Sequence, residues 1–349
     1  MKLFLLLVFV LFCHNVIATE SDVDEAKLLS STQAATPVKR KNPNYPSEAA
    51  LSGQEGWVMV SFVVNEQGEV EDPIIEDSSG LKTFERAAMR AVTKWEYSPA
   101  TQAGKPIQQC QNRVLLEFSL EQYADSGVRN SFRNQYKDII NLIQQGELND
   151  AAELLQKFEK KSKWNMVENA WFWKLDAIFA AEIGDKKRQL KSLTKALRFP
   201  IKPEFLDLDS YTYMRQSQFS LYLENANFTD ALQVYGEVKE SGVALELVNA
   251  MEPIIAQIKD LIDSDKALVR TVDLSGYNTW SHTLARSRFS LENVTGDVSE
   301  IEIRCDNSRN VFSVKEKAEW RIPLHWGACM LYVEGGSGKS FDLVELPVS

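Results

Sequence analysis

The chain is predicted to be a multidomain α+β protein with three folded parts, and three observations predict it. Val58, Val60, Phe62 and Val64 recur with period two, as one face of a β-strand does. Residues 128–265 repeat apolar side chains at helical spacing, with breaks at Gly- and Asn-containing corners. Residues 266–349 fall into short strand-like runs separated by Asn-, Gly- and Ser-containing turns. The predicted order is a small α+β unit, an array of helical hairpins and a β-sandwich. A net charge of −10 with no basic patch argues against a nucleic-acid partner.

Residues 1–18 are expected to be a signal peptide. Lys2 supplies the positive start, Leu3 to Phe12 the apolar core, and Val16-Ile17-Ala18 a small-residue cleavage site. The apolar core is short for a membrane span. The expectation is therefore export to the periplasm, with a mature chain from about Thr19; an uncleaved inner-membrane anchor is the alternative. Residues 19–41 are polar, carry both charge signs, and are expected to be a flexible linker.

The α+β unit is placed at residues 42–122. Tyr45-Pro46 sets an extended lead-in, because proline disfavours the helical region for the residue before it. Ser47 to Leu51 can form a short helix stopped at Gly53. The strand at 58–64 turns back through Asn65-Glu66-Gln67-Gly68 into a second strand, Val70 to Ile75, where Pro73 suggests an edge. Phe84, Ala88, Ala91 and Trp95 mark one face of a helix. A third strand comes after Gly104-Lys105-Pro106. On it, Cys110, Val114, Leu116, Phe118 and Leu120 share one parity, and Gln109, Gln111, Arg113 and Glu117 the other. The product is a three-stranded antiparallel sheet with two helices on one face.

This stretch resembles the C-terminal domain of the TonB family. The resemblance is carried by Asn44-Tyr45-Pro46, Ala49, Gly53, Glu55-Gly56-Trp57-Val58, Ser78-Ser79-Gly80, Phe84, Trp95-Glu96-Tyr97-Ser98-Pro99-Ala100 and Gly104-Lys105-Pro106. It implies a part in TonB-dependent transport across the outer membrane. It also implies partners, either TonB-dependent outer-membrane receptors or the inner-membrane motor and transducer complex. In that family the third strand and the Tyr-Pro segment take up the receptor peptide as an added strand. Carried over, the partner-binding residues are Asn44, Tyr45, Pro46, Gln108, Gln109, Gln111 and Arg113. A family transducer also has a membrane helix and a long proline-rich spacer. Here Pro37 is the only proline of the short linker, which favours an accessory role. The alternative function is a periplasmic scaffold or adaptor, with this domain forming a homodimer and the helices binding protein.

Residues 128–265 resemble tetratricopeptide-type hairpins (TPR-like), with irregular repeat length. Corners fall at Gly146 to Asp150, Gly184-Asp185 and Asn225 to Thr229, and Leu247 to Ile262 forms a last amphipathic helix. Trp164, Trp171, Phe172 and Trp173 are expected to fill the core between hairpins rather than line a groove. In the β-sandwich, residues 266–349, strands are expected at 267–274, 280–291, 298–305, 310–314, 329–334 and 340–346.

Cys305 and Cys329 both lie in the sandwich, and an exported chain meets an oxidising compartment, so a disulfide between them is the economical pairing. Cys110 is then expected to be a buried, inert thiol. His282 and His325 lack the companions of a metal site, and no metal or other cofactor is expected. Gly335-Gly336-Ser337-Gly338-Lys339-Ser340 ends like a phosphate-binding loop, but Val333 stands where glycine is needed and a strand should come next. A hairpin turn is expected instead. No nucleophile–base pairing or paired carboxylates stand out, so the chain is not expected to be an enzyme. A rival, an envelope enzyme with a site between domains, requires a deep polar pocket holding His282 or His325 with carboxylates.

Overall fold

The computed structural model describes residues 32–120, 127–160, 164–198, 206–315 and 318–347. The expected signal peptide and the first part of the linker lie outside these residues. No described helix is long and apolar enough to cross a membrane.

The first domain begins with two short strands, β1 (Thr32–Gln33) and β2 (Thr36–Lys39). Next come helix α1 (Ser47–Leu51), strands β3 (Gly56–Val64) and β4 (Val70–Ser78), and helix α2 (Lys82–Val92). Short strands β5 (Glu96–Ser98), β6 (Ala100–Gln102) and β7 (Lys105–Ile107) lead to the long β8 (Gln109–Phe118). The main sheet is antiparallel with order β4-β3-β8, so β8 is an edge. Val58, Val60, Phe62 and Val64 pack with Phe84, Ala88, Val92 and Trp95 beneath it.

Two features depart from the expectation. The linker does not run free to Lys41. Thr32 and Gln33 pair with Gln102 and Thr101, and Thr36 to Lys39 pairs along Glu96 to Ser98. Ala35 N–H donates to Gln109 Oε1 at 2.8 Å and Trp95 Nε1–H to the Lys41 carbonyl at 2.8 Å. These bonds stitch the segment to the domain. Second, β3 is buried on both faces, not one. Trp57, Ser61 and Val63 point away from the helices and are as buried as Val58 and Val60. Trp57 packs on Met166, with Met59 and Leu115 beside it. A strand covered on both faces reads as a nearly continuous apolar run, as 57–64 does.

The helical region contains α3 (Asn130–Gln145), α4 (Leu148–Lys160), α5 (Met166–Glu182), α6 (Lys186–Ala196), α7 (Leu208–Glu224), α8 (Phe228–Ser241) and α9 (Leu245–Ile262). They pair as hairpins α3–α4, α5–α6 and α7–α8, with α9 packed on α8. Gly146 ends α3 at φ +79°, a left-handed conformation that glycine adopts without penalty. Asn165 and Glu168 close a reciprocal cap at the start of α5. Trp164 and Phe172 stack at 4.2 Å inside a core with Phe132 and Phe158. Trp164 and Phe172 thus fill the interior, with Trp171 and Trp173 half-buried against it.

The C-terminal domain is built from β9 (Leu268–Asp273), β10 (Thr279–Thr283), β11 (Arg288–Thr295), β12 (Glu300–Cys305), β13 (Arg309–Ser313), β14 (Glu319–Arg321), β15 (Cys329–Glu334) and β16 (Ser340–Glu345). They form two antiparallel four-stranded sheets, ordered β10-β15-β12-β13 and β14-β11-β16-β9. One apolar core, including Phe289, Ile303, Leu331 and Phe341, lies between them. The strand expected over 280–291 is in fact two strands in different sheets, broken at Leu284 to Ser287. Three-residue β14 was not expected. The 335–339 turn leads into a strand, and it carries the chain from one sheet to the other instead of closing a hairpin. Cys305 and Cys329 form a disulfide between directly paired residues of β12 and β15.

Candidate functional site

The sequence directs attention to the β8 edge and the Tyr-Pro segment. Tyr45 is half-buried there and packs against the core. Its ring meets Phe84 edge-on at 5.6 Å and Phe118 at 5.9 Å, and its hydroxyl donates to the Gln54 carbonyl. Burial, reinforced by Glu55, pushes its phenol up to about 12. Asn44 is exposed, and Pro46 and Gln108 are half-buried. Gln109 holds Ala35 and donates to Asn112 Oδ1 at 2.7 Å. Arg113 Nε donates to Glu76 at 2.7 Å.

The sandwich covers the start of this edge. Cys110 N–H donates to the Asp306 carbonyl at 3.1 Å. The Gln111 amide donates to the carbonyls of Arg304 at 3.0 Å and Ala328 at 2.6 Å. Those carbonyls flank the Cys305–Cys329 disulfide, which holds the two backbone segments together. Among the described residues, the rest of β8, from Asn112 to Phe118, has no backbone hydrogen bond from an element other than β3. Cys110 is buried under this contact, outside the apolar core of its own domain. Burial pushes its thiol up to about 12, against the pull of Arg304 and Arg309. A thiol held so high is a poor nucleophile near neutrality.

Further polar contacts tie the first domain to the helices and the sandwich. Glu55 is buried. Its carboxylate accepts from Leu120 N–H at 2.6 Å and from Met166 N–H at 2.9 Å, at the positive end of α5. Arg304 donates to the Asp72 carbonyl at 2.9 Å, and Arg309 pairs with the Asp72 carboxylate at 2.9 Å. Tyr332 donates to Glu76 at 3.0 Å, so Glu76 is shared with Arg113.

A cavity of about 780 Å³ opens where the three domains meet. The end of β4, helices α6 to α8, and strands β9 and β10 line it. Lys195 lies there, donating to the Ser78 carbonyl at 2.8 Å, 3.6 Å from Asp77 and 4.4 Å above the Trp173 ring. Burial pulls its ammonium below the usual lysine range, against the opposing effect of Asp77. Arg198 reaches Asp77 at 3.3 Å, and Arg215 pairs with Glu237 at 2.7 Å.

His282 lines this cavity, as the enzyme rival requires, yet both ring nitrogens are engaged. Arg270 donates to Nδ1 at 3.0 Å, so Nε2 carries the proton and faces Glu345 at 3.3 Å. A ring held this way links β9, β10 and β16. His325 sits in a short 3-10 turn, Leu324–Trp326, and the only cysteine near it in sequence is in the disulfide. Among the described residues, no group of His, Cys, Asp and Glu could hold a metal ion.

Sequence reasoning misses the contacts made by Glu55, Arg270 and Tyr332. The one available signal is a charged residue inside an apolar strand pattern, such as Arg270 in 268–273. Nothing in the sequence names the partner of such a residue.

Residues 41–120 match the family described as the Gram-negative bacterial TonB protein C-terminal. Protein TonB of Pseudomonas aeruginosa is 28% identical over 85 residues, which are 24% of this chain and 25% of that protein. Protein TonB of Xanthomonas campestris pv. campestris is 33% identical over 94 residues, 26% of this chain and 42% of that one. The solution structure of the Pseudomonas aeruginosa TonB C-terminal domain aligns with 26% of this chain and 89% of its own, at 28% identity and a TM-score of 0.24. The chain therefore spans only between a quarter and about two fifths of the curated relatives' length. The sequence similarity to TonB proteins is thus with the first domain.

Proposed function

We propose that this chain is a TonB-family accessory protein of the periplasm that takes part in TonB-dependent transport across the outer membrane. Its first domain binds an extended peptide of a receptor, or of the transducer complex, by strand addition to β8. The observation that carries this reading is the family match combined with the position of β8 at the sheet edge. An edge strand offers a row of N–H and C=O groups to an added strand, and its side-chain parity supplies specificity. With Cys110 and Gln111 held by the sandwich, the added strand lies along Asn112 to Phe118. A longer partner displaces the disulfide-braced corner. The helical hairpins, read as TPR-like, provide a second protein-binding surface, and two linked surfaces gain avidity through effective concentration. Metal, cofactor and catalysis have no place in this reading.

The test is hydrogen exchange on the full mature chain with synthetic peptides from the N-terminal plug segments of TonB-dependent receptors. The full chain is needed because removing residues 164–347 would expose Trp57. Slowed exchange confined to 112–118 is expected. Unchanged exchange at millimolar peptide would overturn strand addition. A concentration-dependent protection of the same amides without peptide would favour a homodimer through β8.

A further inference from the structure

We propose that the cavity at the junction of the three domains binds a small polyanion bearing carboxylate or phosphate groups, held by Arg215 and Arg270 with Lys191, Lys195 and Arg198.

The charge of the wall is the first reason. The chain carries a net charge of −10, yet this wall holds eight Lys and Arg against six Asp and Glu. Like charges crowded around a concave surface raise the local concentration of counter-ions. Lys191 has no carboxylate partner among the described residues, and its charge opposes that of Lys195 one helical turn on.

The second reason is how incompletely the arginines are used. A guanidinium presents five N–H donors. Arg270 spends one on His282 and lies over the Trp280 ring at 5.5 Å. Among the described residues no carboxylate lies within 4.0 Å of it; Asp230 and Glu345 act only at longer range. Arg215 bonds Gln218 at 3.0 Å and Glu237 at 2.7 Å, while its buried Nε–H meets no acceptor. Buried donors without acceptors are rare in folded proteins, because each forfeits a bond it had with water. Arg215 and Arg270, the latter with donors beyond the one given to His282, are together the complement of oxygen acceptors on a ligand, and guanidinium binds carboxylate and phosphate oxygens in pairs.

The third reason is size and lining. A volume of about 780 Å³ suits a small molecule. Tyr222, Tyr277 and Trp280 supply flat apolar surface between the charges. All three domains contribute to the wall, so an occupant is bound only by the assembled chain.

The experiment is calorimetric titration of the full mature chain with citrate and, separately, inorganic phosphate, at constant ionic strength set by chloride. Saturable heat with either ligand is expected. Citrate alone would assign carboxylates, and phosphate alone phosphate groups. Arg270→Gln should weaken that binding by about tenfold or more, the loss of one charge-assisted hydrogen bond. Lys191→Gln, on an exposed side chain, should weaken it several-fold with an unchanged melting temperature, and so decides the matter where Arg270→Gln does not fold. Absence of heat at about 10 mM of both ligands, a range that would still report millimolar affinity, overturns the proposal. So does binding that is unchanged in both variants. Neither result bears on strand addition at β8, which is read by a different measurement.

Discussion

The chain joins its domains in two ways, and the contrast separates architecture from function. At the dry junctions buried groups find partners. Trp57 seats on Met166, Glu55 accepts two backbone N–H groups, and Arg286 clamps α9 to the sandwich. Arg286 donates to the carbonyls of Leu261, Ile262, Ser264, Lys266 and Glu345, at 2.6 to 3.2 Å. It thereby satisfies the orphan carbonyls at the end of a helix. At the open junction around the cavity, Arg270 has His282 as its single hydrogen-bond partner among the described residues, and Lys191 has no carboxylate there. The two arginines sit on the same domain, 16 residues apart, in opposite circumstances. A saturated guanidinium holds structure, whereas an unsaturated one waits for something outside the chain.

The contrast can be broken most strongly at Trp57. Trp57→Ala should cost about 4 kcal/mol, the range for deleting a buried tryptophan. Urea unfolding followed by tryptophan fluorescence would measure it. A loss below about 1 kcal/mol would mean that the junction is not a packed core. Arg286→Met comes next. It strands buried carbonyls while keeping the volume, and should cost about 3 kcal/mol. A two-step melt in place of one transition would show that the clamp couples α9 to the sandwich.

The smallest effect sharpens the rim of the open junction. Lys187 donates to Asp273 at 2.7 Å, and this bond, with those from Ser275, pulls the Asp273 carboxyl down to about 2. A carboxyl depressed in the folded state stabilises it at pH above the unfolded value, about 4. That stability is lost as pH falls from about 4 through about 2. Lys187→Gln should therefore melt slightly lower than the parent at pH 6 and converge with it below about pH 2. Since both side chains are largely exposed, the shift should be small and should shrink further in high salt. A difference that grows toward low pH would contradict the assignment.

Much was legible from residues alone. Period-two spacing at 58–64 and helical spacing at 84–95 produce the first domain, because the apolar face of each element must be covered locally. The corners at Gly146 and Gly184 were readable because a left-handed residue ends a helix whatever surrounds it. Cys305 and Cys329 were readable as a pair because few thiols competed for one. The candidate edge was legible only as a strand. Gln108 to Arg113 looks like any half-polar strand, and nothing there announces that Asp306 will cover Cys110, nearly 200 residues later.

By itself, then, the sequence determined the main strands of the first domain, the helices with their corners, most of the sandwich strands and the disulfide, since local propensity and burial patterns are short-range properties. Tertiary structure alone decided that both faces of β3 are buried and that the start of β8 is capped. It also decided which arginines are satisfied and which are left facing a cavity. Those outcomes depend on which distant backbone carbonyl or carboxylate arrives at a given side chain, and spacing along the chain does not encode that distance.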